Sequence, residues 1–320
     1  MARLPVELTP HPDESAGGFM LRALAANGAN PRELLALVRG SVRRQLAAAD
    51  AALFRDLTGV DKVWFEQRIP QERRGDRWME VKLFGSRWRD DWTLRGQHGQ
   101  VCSACLLEFG YARLAWDLTA FVACPIHGRL LLDRCGGCGR ALQPHRPAVD
   151  VCRCGSFIEA SASDEQGASG EVLAWCQWLA ESLRFALGDS SRPPAPNRLL
   201  DGLSMDGAYR LVIALGGGTR ELRSSSMNSV CWWLSTQAVA QALGVGLDVL
   251  RQLEAGQVAS PQREPGCGDA LAEQSLRGVT LADRQAAAGW LAKLKLPTRW
   301  RNRQAVIYQQ GDLFDGWPWT

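Results

Sequence analysis

Seven of the chain's 10 cysteines fall between positions 102 and 154, and one histidine joins them. They form four close pairs: Cys102 with Cys105, Cys124 with His127, Cys135 with Cys138, and Cys152 with Cys154. Soft ligands two residues apart can bend around one ion in a tight backbone knuckle. Eight ligands in four such pairs are what two tetrahedral zinc sites require. Sequential pairing assigns Cys102, Cys105, Cys124 and His127 to one ion. Cys135, Cys138, Cys152 and Cys154 then hold the other; an interleaved pairing satisfies the same count. Glycines follow Cys138 and Cys154, where a knuckle often needs a positive φ. Both sets are complete at four, so neither keeps the open position of a catalytic zinc. The two ions are therefore expected to be structural, holding a segment too polar and glycine-rich to fold by burial alone.

The rest of the chain sets the context for that segment. Its 320 residues are enough for about two domains, and 46% apolar with 22% charged residues is an ordinary globular balance. The opening MARLPVELTP has no apolar stretch of the kind that directs export. Reduced thiols and a cytoplasmic location are the expectation, and disulfides are not. No run of 18 apolar residues occurs, so no membrane partner is expected. The net charge of +3 is mild, but its cations are 33 Arg and only 4 Lys. Arginine forks suit phosphates and carboxylates, although GC-rich codons favour the same bias.

The fold class expected is mainly α. It has a helix-turn-helix-like N-terminal region, a small two-zinc ribbon or finger insert, and a helical C-terminal domain with a second helix-turn-helix. The expected divisions are 1–95, a zinc region at 96–159, a linker and connecting helix at 160–196, and the C-terminal domain at 197–320. Asp13 or Ser15 can cap a first helix from about Ala16, ended by Asn27-Gly28, and Pro31 opens a second. A further helical pair spans about 40–69, turning at Leu57-Thr58-Gly59-Val60. Residues 68–95 interleave arginines with Trp78, Trp88 and Trp92, but acids are mixed among them, so a solvated strand or loop face is favoured over nucleic-acid contact. EVLAWCQWLAESLRFALG reads as an amphipathic helix, and LLDGLSMDGAYRLVIALGGG as another. In the C-terminal half, STQAVAQALGVGLDVLRQLEAGQV reads as two helices turned at Gly244-Val245-Gly246, with Arg251 and Gln252 exposed for base or phosphate contact. Arg299, Arg301 and Arg303 around Trp300 form a second nucleic-acid candidate.

Several short motifs, taken in order, resemble the TniQ family of accessory target-selection proteins of heteromeric DNA transposons, related to TnsD. They are PHPDES before a helix and NG, then CSACL, YARLAW, CPIH, CGGCG and CRCG, covering roughly residues 4–156. Ser-Ala inside the first cysteine pair and Gly136 in the second knuckle stand where the family often has proline, and neither touches a ligand. The resemblance implies a non-enzymatic adaptor that selects or marks a target. It would recruit the transposon's AAA+ ATPase regulator, of the TniB/TnsC kind, and the transposase through it. DNA, an RNA-guided CRISPR effector and a second copy of the chain are further partners implied.

No catalytic constellation accompanies these motifs. There is no G-x-S-x-G and no phosphate loop; GGGTR lacks the required ending. His11, His98 and His145 have no readable partner. A zinc-containing helix-turn-helix transcription regulator is the alternative reading.

Overall fold

The computed structural model describes residues 3–34, 48–74, 79–89, 93–95, 98–159, 167–188, 191, 193–216, 235–257 and 265–296. Helix dominates, as the periodicity predicts. Helix α1 spans Ala16–Ala26, and Ser15 caps it by accepting from the Gly18 amide at 3.0 Å. Helical residues 31–34 follow, with Asn30 accepting from the Arg32 amide. Helices α2 (Asp50–Thr58) and α3 (Lys62–Arg68) meet at Gly59, whose φ of 74° only glycine adopts readily. Phe19, Phe54 and Phe65 pack their rings 5.5–6.0 Å apart and close a local N-terminal core.

A three-stranded antiparallel meander follows: β1 (Gln71–Arg74), β2 (Met79–Leu83) and β3 (Ser86–Trp88). Phe84 and Gly85 form the two-residue β2–β3 turn, both at positive φ, as a tight hairpin demands. Trp88 is fully buried and donates its indole N–H to the Leu83 carbonyl. It is a core residue and faces neither solvent nor a ligand. Trp78 and Trp92 lie outside the described residues.

The candidate metal-binding region, called the metal region below, contains α4 (Ser103–Phe109) and the short pair β4 (Ala123–Cys124) and β5 (Arg129–Leu130). Beyond it run α5 (Gly170–Ala186), α6 (Met205–Leu215), α7 (Thr236–Glu254), α8 (Pro265–Arg277) and α9 (Leu281–Leu294). Helix α8 is one that periodicity did not pick out, because its opening residues Pro-Gly-Cys-Gly read as a loop. Every residue of α6 is buried, and the helices around it share one continuous core with the sheet and the metal region.

Helix α7 corrects the sequence reading of 235–256. It is a single helix of 19 residues, capped by Ser235, and Gly244-Val245-Gly246 is no turn. The glycines serve helix packing instead. A Cβ on Gly246 would lie 2.0 Å from the Val212 carbonyl oxygen of α6, and Gly216 makes an equally close approach to the Ala242 carbonyl. These contacts let the α6 and α7 backbones touch. Gly246→Ala is therefore expected to destabilise by about 1–3 kcal/mol, since backbone cannot yield cheaply. Gly244 has no atom nearer than 3.9 Å, so Gly244→Ala should stabilise by about 0.5–1 kcal/mol. Urea titration of both variants checks this; equal losses in both would restore a turn at this point.

Candidate metal centres and the joint beside them

The two ligand sets predicted from spacing each converge, in the sequential pairing. Cys102, Cys105, Cys124 and His127 form one cluster, and Cys135, Cys138, Cys152 and Cys154 the other, with ligand atoms in each within 4.8 Å of one another. In the first, Cys105 Sγ lies 3.5 Å from Cys124 Sγ, and His127 Nδ1 lies 3.3–3.5 Å from the three sulfurs. In the second, Cys135 and Cys154 are 3.7 Å apart and Cys138 and Cys152 are 3.9 Å apart. A tetrahedral ion with metal–sulfur bonds of about 2.3 Å sets its ligand sulfurs about 3.8 Å apart, so both cages have the right size for one.

Local backbone builds these cages. Cys102 is the residue before α4 and Cys105 is in its first turn, so the helix start forms one knuckle. The β4–β5 turn forms the other, closed by the Gly128 amide bonding to the Cys124 carbonyl at 2.8 Å. In the second cluster the Gly139 amide bonds to the Cys135 carbonyl and the Gly155 amide to that of Cys152. Hydrogen bonds from Cys102 and then Cys105 hold the Cys124 thiol well below its usual range. The same contacts, from Cys102 and Cys124, together with burial, push Cys105 far up. Cys176, by contrast, is pushed up to about 12 by burial and belongs to the core.

His127 shows a feature that spacing did not reveal. Nδ1 faces the sulfurs, while Nε2 lies 3.1 Å from Glu108 Oε2. A carboxylate on the far nitrogen fixes the tautomer and strengthens the ligand. Its signal was available, because Glu108 follows Cys105 by three residues on α4 and so shares its face. His98 is buried and belongs to neither cluster.

Two motifs a hundred residues apart meet beside the first cluster. Asp13 accepts from the Tyr111 hydroxyl at 2.6 Å and from the Arg113 guanidinium. The backbones pair as well: the Leu114 amide bonds to the Asp13 carbonyl at 2.7 Å and the Ser15 amide to that of Ala112 at 3.0 Å. His11 stacks on the Tyr111 ring at 4.1 Å. Buried Glu14 takes two bonds from Arg22, at 2.9 and 2.7 Å. PHPDES and YARLAW are therefore the two halves of one joint, which fastens the N-terminal helices to the metal region. Asp13→Ala should cost about 1–2 kcal/mol, at the low end for charged hydrogen bonds because the pair is partly exposed. Its signature is early proteolysis within residues 1–70 of the folded protein; an unchanged digestion pattern would deny the joint any fastening role.

A cleft of about 110 Å³ lies between α1 and the metal region, lined by Met20, Leu21, Leu24, Phe54 and Leu83, with Arg95 and Asp117. Burial raises Asp117 to about 7, against the opposing pull of Arg146.

The nucleic-acid candidates fare differently from the ligands. Arg251 and Gln252 both turn onto Asp248, Gln252 at 2.6 Å, on the outer side of α7. Arg299, Arg301 and Arg303 lie outside the described residues. The C-terminal helices are tied to the metal region rather than free of it. The Thr236 amide donates to Asp133 at 2.7 Å, and its hydroxyl to buried Gln100 at 2.9 Å. Gln100 in turn donates to the carbonyls of Trp116, Leu118 and Phe121. No helix among the described residues is long and apolar enough to cross a membrane.

Residues 5–131 match the family model described as TniQ. The match takes in the joint and the first cluster and stops short of the second. No curated protein matches the chain.

Proposed function

From the match of residues 5–131 to the TniQ family model, we propose that this chain is a TniQ-type, non-enzymatic adaptor of DNA transposition. The TniQ domain makes it a transposition-associated protein. In our reading it marks a target and recruits the transposon's AAA+ ATPase regulator, which brings the transposase. The observation that carries this reading is the family match over the very segment in which PHPDES, YARLAW and the first cluster assemble into one body.

Both clusters hold zinc in this reading. The all-sulfur and Cys₃His donor sets are soft, and the cages fit about 2.3 Å bonds. Bound there, the ions supply cross-links and no reaction step. The chain's own residues position them: Glu108 orients His127, and the knuckle amides hold the thiolates in place. Elemental analysis should find two zinc ions per chain.

Target choice in this proposal comes from a partner complex, such as an RNA-guided effector or a second copy of the chain, and not from base readout by α7. Arg251 and Gln252, the residues named for readout, are engaged by Asp248. The test is co-purification of the chain with an AAA+ ATPase regulator of the TniB/TnsC kind, followed by ATPase and transposition assays. Retention of the ATPase, and loss of targeted insertion when the chain is omitted, is the expected result. Nanomolar, sequence-selective duplex binding by the isolated chain would replace partner-directed targeting with direct reading. No retention of the ATPase would remove the adaptor role.

A further inference from the structure

The second metal cluster lies beyond the family match and presents a surface that the adaptor reading leaves unused. Arg134 and Arg140 flank the Cys135–Cys138 knuckle, and Arg153 sits between Cys152 and Cys154 on the facing one. Sulfur separations of 3.7 and 3.9 Å bring the two knuckles together, so all three arginines belong to one small module. All three residues are exposed. Arg134 is braced by donating to the Gly139 carbonyl at 3.2 Å. Among the described residues none of the three forms an ion pair, whereas Arg22, Arg87, Arg113, Arg198, Arg210 and Arg251 all do.

Charge balance within the centre does not fully absorb them. Four thiolates around a divalent ion leave a net charge of about −2, which the three arginines exceed by about one unit before the nearby acids Asp150 and Glu159 are counted. An aromatic ring accompanies the arginines. Phe157 is 64% exposed, the largest exposure of any described aromatic side chain. It is not loosely held: Val151 bridges to it, and the next residue, Ile158, is buried with its amide bonded to the Asp150 carbonyl at 2.7 Å. A large exposed apolar ring on a held backbone, four residues after Arg153 in the same module, has with these arginines the composition of a nucleic-acid platform. Guanidinium forks meet phosphates, and every base has a face that stacks on an aromatic ring.

We propose that the second metal module is a contact site for single-stranded nucleic acid, with Arg134, Arg140 and Arg153 on backbone phosphates and Phe157 stacked on an unpaired base. The site is sequence-tolerant, since neither contact reads a base edge. It does not depend on ATPase recruitment, so either reading can fail alone.

Fluorescence anisotropy of the full chain with a labelled oligothymidylate, across a salt series, tests the proposal. The double variant Arg140→Gln/Arg153→Gln should weaken binding and reduce the log–log salt slope by about 1.4, at about 0.7 per lost single-strand phosphate contact. Phe157→Ala should weaken binding roughly tenfold and leave the slope alone. Metal content of each variant shows that the module stays folded. Unlabelled DNA and RNA strands compete to separate the two sources. Wild-type affinity in both variants would overturn the proposal, as would stronger binding to duplex or equal displacement by polyglutamate. Loss of the second ion from the double variant, with Phe157→Ala binding normally, would also overturn it and assign the arginines to neutralising the thiolates.

Discussion

Cys105→Ser is expected to release one of two metal ions and to destabilise the protein on the order of 5 kcal/mol, a fraction of the binding energy a structural four-ligand site supplies. Cys105 is fully buried, and its sulfur faces Cys124 at 3.5 Å and His127 at 3.3 Å. Cys124 belongs to the strand pair on which α5 packs, and Trp175 of α5 donates its indole N–H to the Ala120 carbonyl. Losing the ion therefore loosens the floor beneath the C-terminal helices and the anchor of the N-terminal joint together. Cys154→Ser should also release one ion, but with a smaller stability loss, because Cys154 is exposed on the module's edge. Acid should release both ions, since thiolate ligands must then take protons. Metal content per chain and urea midpoints decide the matter. Two ions and an unmoved midpoint in Cys105→Ser would remove the first site as a structural element.

Asp206→Ala should cost about 3–5 kcal/mol, the usual penalty for leaving one member of a buried ion pair behind. Asp206 is fully buried in the first turn of α6, and its carboxylate accepts from Arg210 Nε at 2.8 Å one turn later. Arg210 is 5% exposed and sits in the helix around which the C-terminal half packs. Removing the carboxylate takes from the buried guanidinium its ion-pair partner one turn away. Replacing both residues, as Asp206→Leu/Arg210→Met, should recover most of the loss, because a buried pair contributes little beyond what apolar packing would. Thermal unfolding of the single and double variants closes the cycle. A loss below about 1 kcal/mol in the single variant would mean that the Asp206–Arg210 pair carries little of the stability of α6.

Which residues cluster was legible in the sequence because short spacing alone brings knuckle residues together. Two residues between thiols leave the backbone few ways to run, and the pairs Cys102–Cys105 and Cys135–Cys138 formed as their spacing required. Helices with strong periodicity and a cap were equally legible, as Ser15 before α1 and Gly59 after α2 show. Tertiary structure decided what local signals leave open. The two pairings of the clusters satisfy the same count, and only the path of β4 and β5 selects the sequential one. Gly244-Val245-Gly246 carries a turn's composition, yet glycine also serves where two helices touch, and contact with Val212 selects helix. Asp13 and Tyr111 lie 98 residues apart, a separation no periodicity spans. Short-range order is set by sterics and capping within a few residues, and the sequence determines it alone. Partners across the fold are chosen by what the whole core buries, and that is known only once the chain has closed on itself.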